Sequence, residues 1–150
     1  MQYVAALEAA GVITVMGKFK TKDKKCPMCS QKWIGHEEKE SDVNVALYLL
    51  NLAYRNAYDH ALLVSNDSDL APAIRMVLSN FPHKKITTVV PPRYFQSNEL
   101  LQASSGKAKI LVEQLERSLF PQTIYDAQGR VVVNRPVEYS PPNIHSIALP

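Results

Sequence analysis

The stretch that decides the fold is Ala61-Leu62-Leu63-Val64-Ser65-Asn66-Asp67-Ser68-Asp69-Leu70. Its first four residues are a short, continuous apolar run, the pattern of a strand buried on both faces in a parallel sheet. Turn and cap formers follow, and then Leu70, Ala73, Ile74, Val77 and Leu78 recur at helical spacing. Strand, polar turn and helix in succession are the unit of an α/β fold. In an open parallel sheet, ligands gather at the carboxyl ends of the strands. Asp67 and Asp69 therefore stand where chemistry is expected.

The same reading extends outward. Ser41 is placed to cap a helix whose apolar stripe is Val43, Ala46, Leu47, Leu50, Ala53, Tyr54 and Ala57. Residues 2–10 read as a helix ended by Gly11, and residues 12–19 as a strand. Residues 20–40 show no period and read as a long polar connection. Residues 86–90 form a second buried strand, stopped by Pro91-Pro92. Helical stretches follow from Ser97 and again through Ile110, Leu111, Leu115 and Leu119, with a break at 104–106. Residues 123–125 and 130–134 flank Asp126-Ala127-Gln128-Gly129 as a hairpin, and a proline-rich extended tail begins at Pro136. The expectation is an α/β main domain over 1–120, with a parallel sheet flanked by helices. A C-terminal β-hairpin and tail occupy 121–150.

Composition narrows the class. The chain has 150 residues, 46% hydrophobic and 21% charged, which suits one ordinary domain and excludes a disordered chain. Two cysteines exclude a disulfide scaffold. No apolar run reaches membrane-span length and no basic leader opens the chain. A soluble, cytoplasmic protein is expected, with no membrane partner. Net charge is only +3, but Lys18, Lys20, Lys22, Lys24 and Lys25 crowd one segment opposed by Asp23. Such a cluster either attracts a phosphate backbone or is a solvated face.

Three sets of residues carry candidate chemistry. Asp42 opens the helix before the 61–64 strand, so an ordinary crossover brings it to the edge that holds Asp67 and Asp69. Close carboxylates repel unless a divalent cation neutralises them, and Mg²⁺ prefers such hard oxygen ligands. The same aspartates also serve as caps and turn formers. Cys26-Pro27-Met28-Cys29 has the spacing of half a zinc site, with His36 following and Trp33 placed to shield it. A redox pair and two unlinked thiols are the alternatives. Arg93 and Tyr94 follow a strand's carboxyl end, where arginine suits phosphate. His60, His83 and His145 read as surface or hydrogen-bonded side chains, and Tyr48, Tyr54 and Tyr58 as core or its margin.

Two segments together carry a resemblance. They are Glu38-Lys39-Glu40-Ser41-Asp42-Val43-Asn44-Val45-Ala46 and Asn56-Ala57-Tyr58-Asp59-His60-Ala61-Leu62-Leu63-Val64-Ser65-Asn66-Asp67-Ser68-Asp69-Leu70. They resemble the NYN domain, a branch of the PIN-like metal-dependent ribonucleases, and within it the bacterial LabA-like members. The likeness runs from about residue 2 to residue 136 and includes Pro91-Pro92-Arg93. It implies a PIN-like parallel sheet and an RNA-cutting site in which Asp42, Asp67 and Asp69 hold Mg²⁺ or Mn²⁺. Ser65, Ser68 and Asn44 would support those ligands. Lys18, Lys20, Lys22, Lys24, Lys25, Lys39 and Arg93 would hold single-stranded or structured RNA. The cysteine pair also resembles one in LabA-like proteins, which favours structural zinc on Cys26, Cys29 and His36.

The chain departs from the family in two places. Asn66 replaces the usual glycine, and asparagine tolerates the turn. Residues 1–11 do not resemble the family's opening strand and its Asp-Gly-x-Asn aspartate. The resemblance thus leads us to expect an N-terminally incomplete sheet. Three explanations stand: a truncated gene or mis-set start, a second copy or partner chain that supplies the missing strands, or a degenerate module that binds RNA or protein without cutting.

Overall fold

A computed structural model describes residues 2–139. In chain order the elements are α1 (Gln2–Ala9), β1 (Lys18–Lys25), β2 (Lys32–Lys39), α2 (Ser41–Tyr54), β3 (His60–Val64), α3 (Ala71–Asn80) and β4 (Lys85–Val90). Then come α4 (Asn98–Ala103), β5 (Gly106–Lys109), α5 (Val112–Arg117), β6 (Thr123–Tyr125) and β7 (Val131–Asn134). Short 3-10 turns lie at Ser68–Leu70 and Val137–Tyr139. Val15–Leu111 forms one unit, and the described residues before and after it form another.

The larger unit is built on a three-stranded parallel sheet in the order β3-β4-β5. Its register runs from His60↔Lys85 to Val64↔Val89 and from Thr87↔Gly106 to Val90↔Lys109. β4 is the centre because its β-branched residues suit a strand buried on both faces. Ile86 and Thr88 are fully buried, and Val89 and Val90 nearly so. Thr88, the polar member, is satisfied: its hydroxyl meets Ser104 Oγ at 3.3 Å and accepts from the Gln96 amide. Leu49, Ala53, Leu63, Leu70, Ile74, Val77, Ile86 and Leu100 join α2, α3 and α4 to the sheet in one core. The α/β architecture expected from the 61–70 stretch is thus present, a parallel sheet flanked by helices.

Several elements differ from their sequence reading. β3 is an edge strand and is buried on one face only. Leu63 packs into the core, whereas Leu62 and Val64 are 66% and 58% exposed. β5, read as a break before a helix, pairs with β4 over Gly-Lys-Ala-Lys, a stretch with no apolar signal of its own. On α2 the buried residues are Leu49 and Ala53, while Val43, Leu47 and Tyr54 are exposed. The helix is apolar around more than one face, so its stripe alone does not show which face packs.

Residues 12–17 carry no regular structure, and the supposed connection is an antiparallel ribbon of β1 and β2. Its register runs from Lys18↔Lys39 to Lys25↔Lys32. Only Gly35 within it is buried. Neither face packs on a core, so no alternation marks it in the sequence. One ion pair crosses the strands, Lys22 Nζ at 2.7 Å from Glu37, and Lys39 Nζ on the same strand lies 3.3 Å from that carboxylate. These lysines hold the Glu37 carboxyl below the ordinary carboxylate range, through hydrogen bonds first and charge second.

The ribbon leads into α2 through a junction that Ser41 does not cap as expected. Ser41 is the first helical residue, and Glu40 takes the cap position with φ 79° and no side-chain cap bond. The Glu38 carboxylate accepts the Ser41 N–H at 3.2 Å and the Ser41 hydroxyl. Gly17 passes against this junction. A Cβ there would lie 2.2 Å from Glu38 Oε1, 2.5 Å from Ser41 Oγ and 2.8 Å from the Lys39 carbonyl.

A buried cation ties two loops of the same unit. Lys84 is 2% exposed, and its ammonium donates to Asn56 Oδ1 at 2.7 Å and to the Tyr58 carbonyl. It also sits 5.2 Å from the Tyr58 ring centroid and 5.9 Å from that of Phe81. Tyr58 in turn donates its hydroxyl to the Leu49 carbonyl at 3.1 Å, and burial raises its phenol pKa.

The smaller unit packs α1 beside the β6–β7 hairpin, with Tyr3 edge-on to Phe120 at 6.5 Å between centroids. The expected hairpin turn is present. Asp126 Oδ1 accepts from the Gln128 and Arg130 N–H groups, both at 2.9 Å, and Gly129 takes φ 76°. The tail expected from Pro136 onward lies outside the described residues beyond Tyr139.

Three measurements check this account. Gly17→Ala should destabilise the larger unit by about 1–3 kcal/mol, seen as a lower urea midpoint at unchanged m-value. Lys84→Ala should cost roughly 2–3 kcal/mol, because it strands buried acceptors and empties the space between two rings. The Glu37 interaction is present above the ordinary carboxylate range and is lost as pH falls through its lowered pKa. In an NMR titration, Lys22→Ala should therefore move the Glu37 pKa upward, and an unchanged value would refute the ion pair.

Candidate functional site

β3 delivers its carboxyl end to a tight acidic turn. The Ser65 hydroxyl accepts the Asp67 N–H at 3.1 Å, and Asp67 Oδ1 accepts the Asp69 N–H at 2.9 Å. Asp67 thus caps the 3-10 turn, with backbone φ −82° and ψ 115°. Asp67 is half-buried and Asp69 exposed. Asn66 Oδ1 accepts the Ser97 N–H at 2.7 Å, which ties this turn to the start of α4. The residue that replaces the family's glycine is therefore a bridge between two loops at the same sheet edge.

That bridge brings in residues the sequence reading missed. Asp69 lines a shallow recess of about 350 Å³ with Ser68, Arg75 and Glu99. Glu99, from the first turn of α4, is a carboxylate whose place could be read only once β5 and α4 were correctly ordered. The β4–α4 loop carries Arg93 at φ 69°, followed by Tyr94 and Phe95, all exposed, with Phe95 at 91%. An arginine and two free aromatic rings at a strand's carboxyl end suit a phosphate and stacked bases.

Asp42 lies exposed in the first turn of α2. Among the described residues no three His, Cys, Asp or Glu side chains come together as a group able to hold a metal ion. Asp42, Asp67 and Asp69 are therefore not a preassembled cage. The donor chemistry still suits Mg²⁺ or Mn²⁺ at a lower ligand count. Mg²⁺ keeps several waters and takes one or two carboxylates together with phosphate oxygens. Asp67 and Asp69, on one turn, meet that minimum. Of the other residues singled out, Ser65 braces Asp67, Ser68 lines the recess, and Asn44 lies within α2.

The positive charge lies elsewhere in the unit. Residues 18–39 hold seven lysines against Asp23, Glu37 and Glu38, a net +4, while the whole chain carries +3. Cross-strand partners share a face and neighbours alternate. The register therefore puts Lys18, Lys20, Lys22, Lys24, Lys39 and Trp33 on one face, with Glu37 as its acid. Lys25 falls on the other face with Phe19, Asp23 and Ile34. Gly35 makes room on the lysine face, since a Cβ there would lie 2.7 Å from Lys24 Cε.

The cysteine pair sits at the ribbon's tip. The Cys26 N–H donates to the Gln31 carbonyl at 2.9 Å and the Ser30 N–H to the Cys26 carbonyl at 3.0 Å, closing a loop with Ser30 at φ 60°. Both thiols are free, and Cys29 is exposed. The backbone N–H groups of Cys29 and Met28 and the Cys29 side chain hold the Cys26 thiol below its ordinary pKa. His36 does not join them. It lies mid-ribbon opposite Thr21, four positions up the strand from Lys32, about 13 Å at strand rise.

Of the remaining histidines, His60 is exposed and bonds Thr87 Oγ1 at 2.8 Å, and His83 stands edge-on to Phe81 at 6.3 Å. His145 lies outside the described residues. Tyr54 is exposed rather than core, against Phe81 at 4.9 Å. No helix among the described residues is long and apolar enough to cross a membrane.

Comparison with known proteins agrees with the geometry. A stretch of 55 residues is 44% identical to the 6-hydroxy-3-succinoylpyridine 3-monooxygenase HspA of Pseudomonas putida (strain DSM 28022 / S16). It spans 37% of this chain and only 17% of that protein. No solved structure matches the chain. The family model of the NYN domain matches residues 2–108, which takes in the parallel sheet, the acidic turn and the basic ribbon. The chain belongs to the NYN domain family, and its kinship lies with the PIN-like nuclease superfamily.

Proposed function

We propose that the chain is a metal-dependent ribonuclease domain that grips RNA on its basic ribbon and cuts phosphodiesters at the acidic edge of its sheet. The observation that carries this reading is the concentration of all the net positive charge on one ribbon, in the same unit as an uncaged carboxylate turn of a NYN fold. The match to HspA covers too little of that protein for its activity to be carried over. Free thiols suit the cytoplasm, where such a protein would meet RNA.

Within the chain, the roles follow from position. Lys20 and Lys24, on the lysine face and in no ion pair among the described residues, contact phosphates. Trp33, Tyr94 and Phe95 offer stacking surfaces for unpaired bases. Arg93 holds a phosphate near the carboxylates. Asp67 is oriented by its bond to the Asp69 N–H, and Ser65 braces the backbone between them. A divalent cation bound there supplies an acidified water and neutralises charge on the phosphate. Because the carboxylates are few, the cation would bind weakly until RNA oxygens join it.

Labelled RNA with Mn²⁺ tests the proposal. The native chain should cleave it, and Asp67→Asn should lower the rate roughly a hundredfold or more. Equal cleavage by both would reject the assignment. RNA binding that survives chelator, with no cleavage under Mg²⁺ or Mn²⁺, would establish a binding module instead. Affinity should fall with salt, and neutralising Lys20 and Lys24 should each flatten the log–log slope by about 0.7 on single strands.

A further inference from the structure

The tip of the β1–β2 ribbon is built like half of a metal site. Cys26 and Cys29 are both free thiols on one short turn, and Cys29 is exposed. The loop is closed by two backbone bonds, so the sulfurs are held rather than loosely tethered.

Two further features of the tip lack an explanation inside one chain. Lys25 and Lys32 are directly opposed across the ribbon, and neither is in an ion pair among the described residues. Like charges facing each other across strands destabilise a ribbon. Met28, at the apex, is 94% exposed. An anionic centre at the tip would relieve the first feature, and a surface pressed against the tip would cover the second.

A closed structural zinc site needs four ligands. The chain supplies two, His36 is about 13 Å up the strand, and no third ligand joins the pair among the described residues. We infer that the Cys26–Cys29 turn is one half of a zinc site shared by two copies of this chain, tip to tip about a two-fold axis. A two-fold interface places the same patch on both partners, so one turn per chain makes a complete Cys₄ tetrahedron. Four thiols release four protons to solvent as their thiolates bind one Zn²⁺, giving a centre of net charge −2. That charge lies between the lysines of both tips, and Met28 of each copy is covered by the other. The site is separate from the acidic edge and does not depend on RNA cleavage.

The experiment uses the full chain, reduced and stripped of metal, titrated with Zn²⁺ and followed by metal analysis and light scattering. One zinc per two chains is expected, with a doubling of mass that chelator reverses. Co²⁺ in place of zinc should give the visible bands of a tetrahedral tetrathiolate. The Cys26→Ser/Cys29→Ser variant should stay monomeric with zinc and keep the native circular dichroism, since the substitutions lie on an exposed turn. One zinc per monomer, no zinc uptake, a Cys26–Cys29 disulfide that re-forms in preference to metal binding, or a dimer indifferent to chelator would each overturn the shared site.

Discussion

A strand buried on both faces has no water to satisfy its backbone, so every N–H and C=O must find a partner inside the protein. β4 is that strand here, and its needs organise the larger unit. β3 and β5 are held in register by it, and the register carries their loops to one edge. The acidic turn after β3 and the Arg93 loop after β4 are neighbours because both strands end together. The Asn66–Ser97 bond then locks the two loops to each other. The gathering of these side chains at one edge is thus a consequence of burial at Ile86, Thr88 and Val90.

Charge is divided between elements in the same unit. The sheet edge gathers Asp67, Asp69 and Glu99, whereas the ribbon gathers seven lysines. Held apart, the two sets do not cancel, and an extended polyanion could engage one while presenting its backbone to the other. Glu37 is the exception that makes the ribbon tolerable, since a single carboxylate bridges Lys22 and Lys39 and relieves repulsion at its base.

Much of the fold was legible where burial writes a period. α3 and β4 are read directly because most of their apolar residues are buried, and Asp67 and Asp69 follow from the strand–turn–helix order. Legibility failed where burial is partial or absent. β1 and β2 pack on nothing, so their lysines look like a loop. β5 is recruited by hydrogen bonding to β4, and Gly106-Lys107-Ala108-Lys109 offers no hydrophobic hint. Leu62 and Val64 look like core residues and are not, because composition cannot tell a central strand from an edge. Glu99 and Phe95 needed tertiary placement, and His36 was assigned to the cysteines by closeness in sequence that an extended strand undoes.

The edge of β3 has a consequence for the protein as a material. Along it, an unpaired backbone row stands beside exposed Leu62 and Val64, without the proline or lysine that commonly shields such a border. A crowded solution of this chain therefore has an adhesive seam of five residues on each molecule. How concentrated it can be kept, and whether it ages into fibres or precipitate, is governed by that seam rather than by the stability of the core.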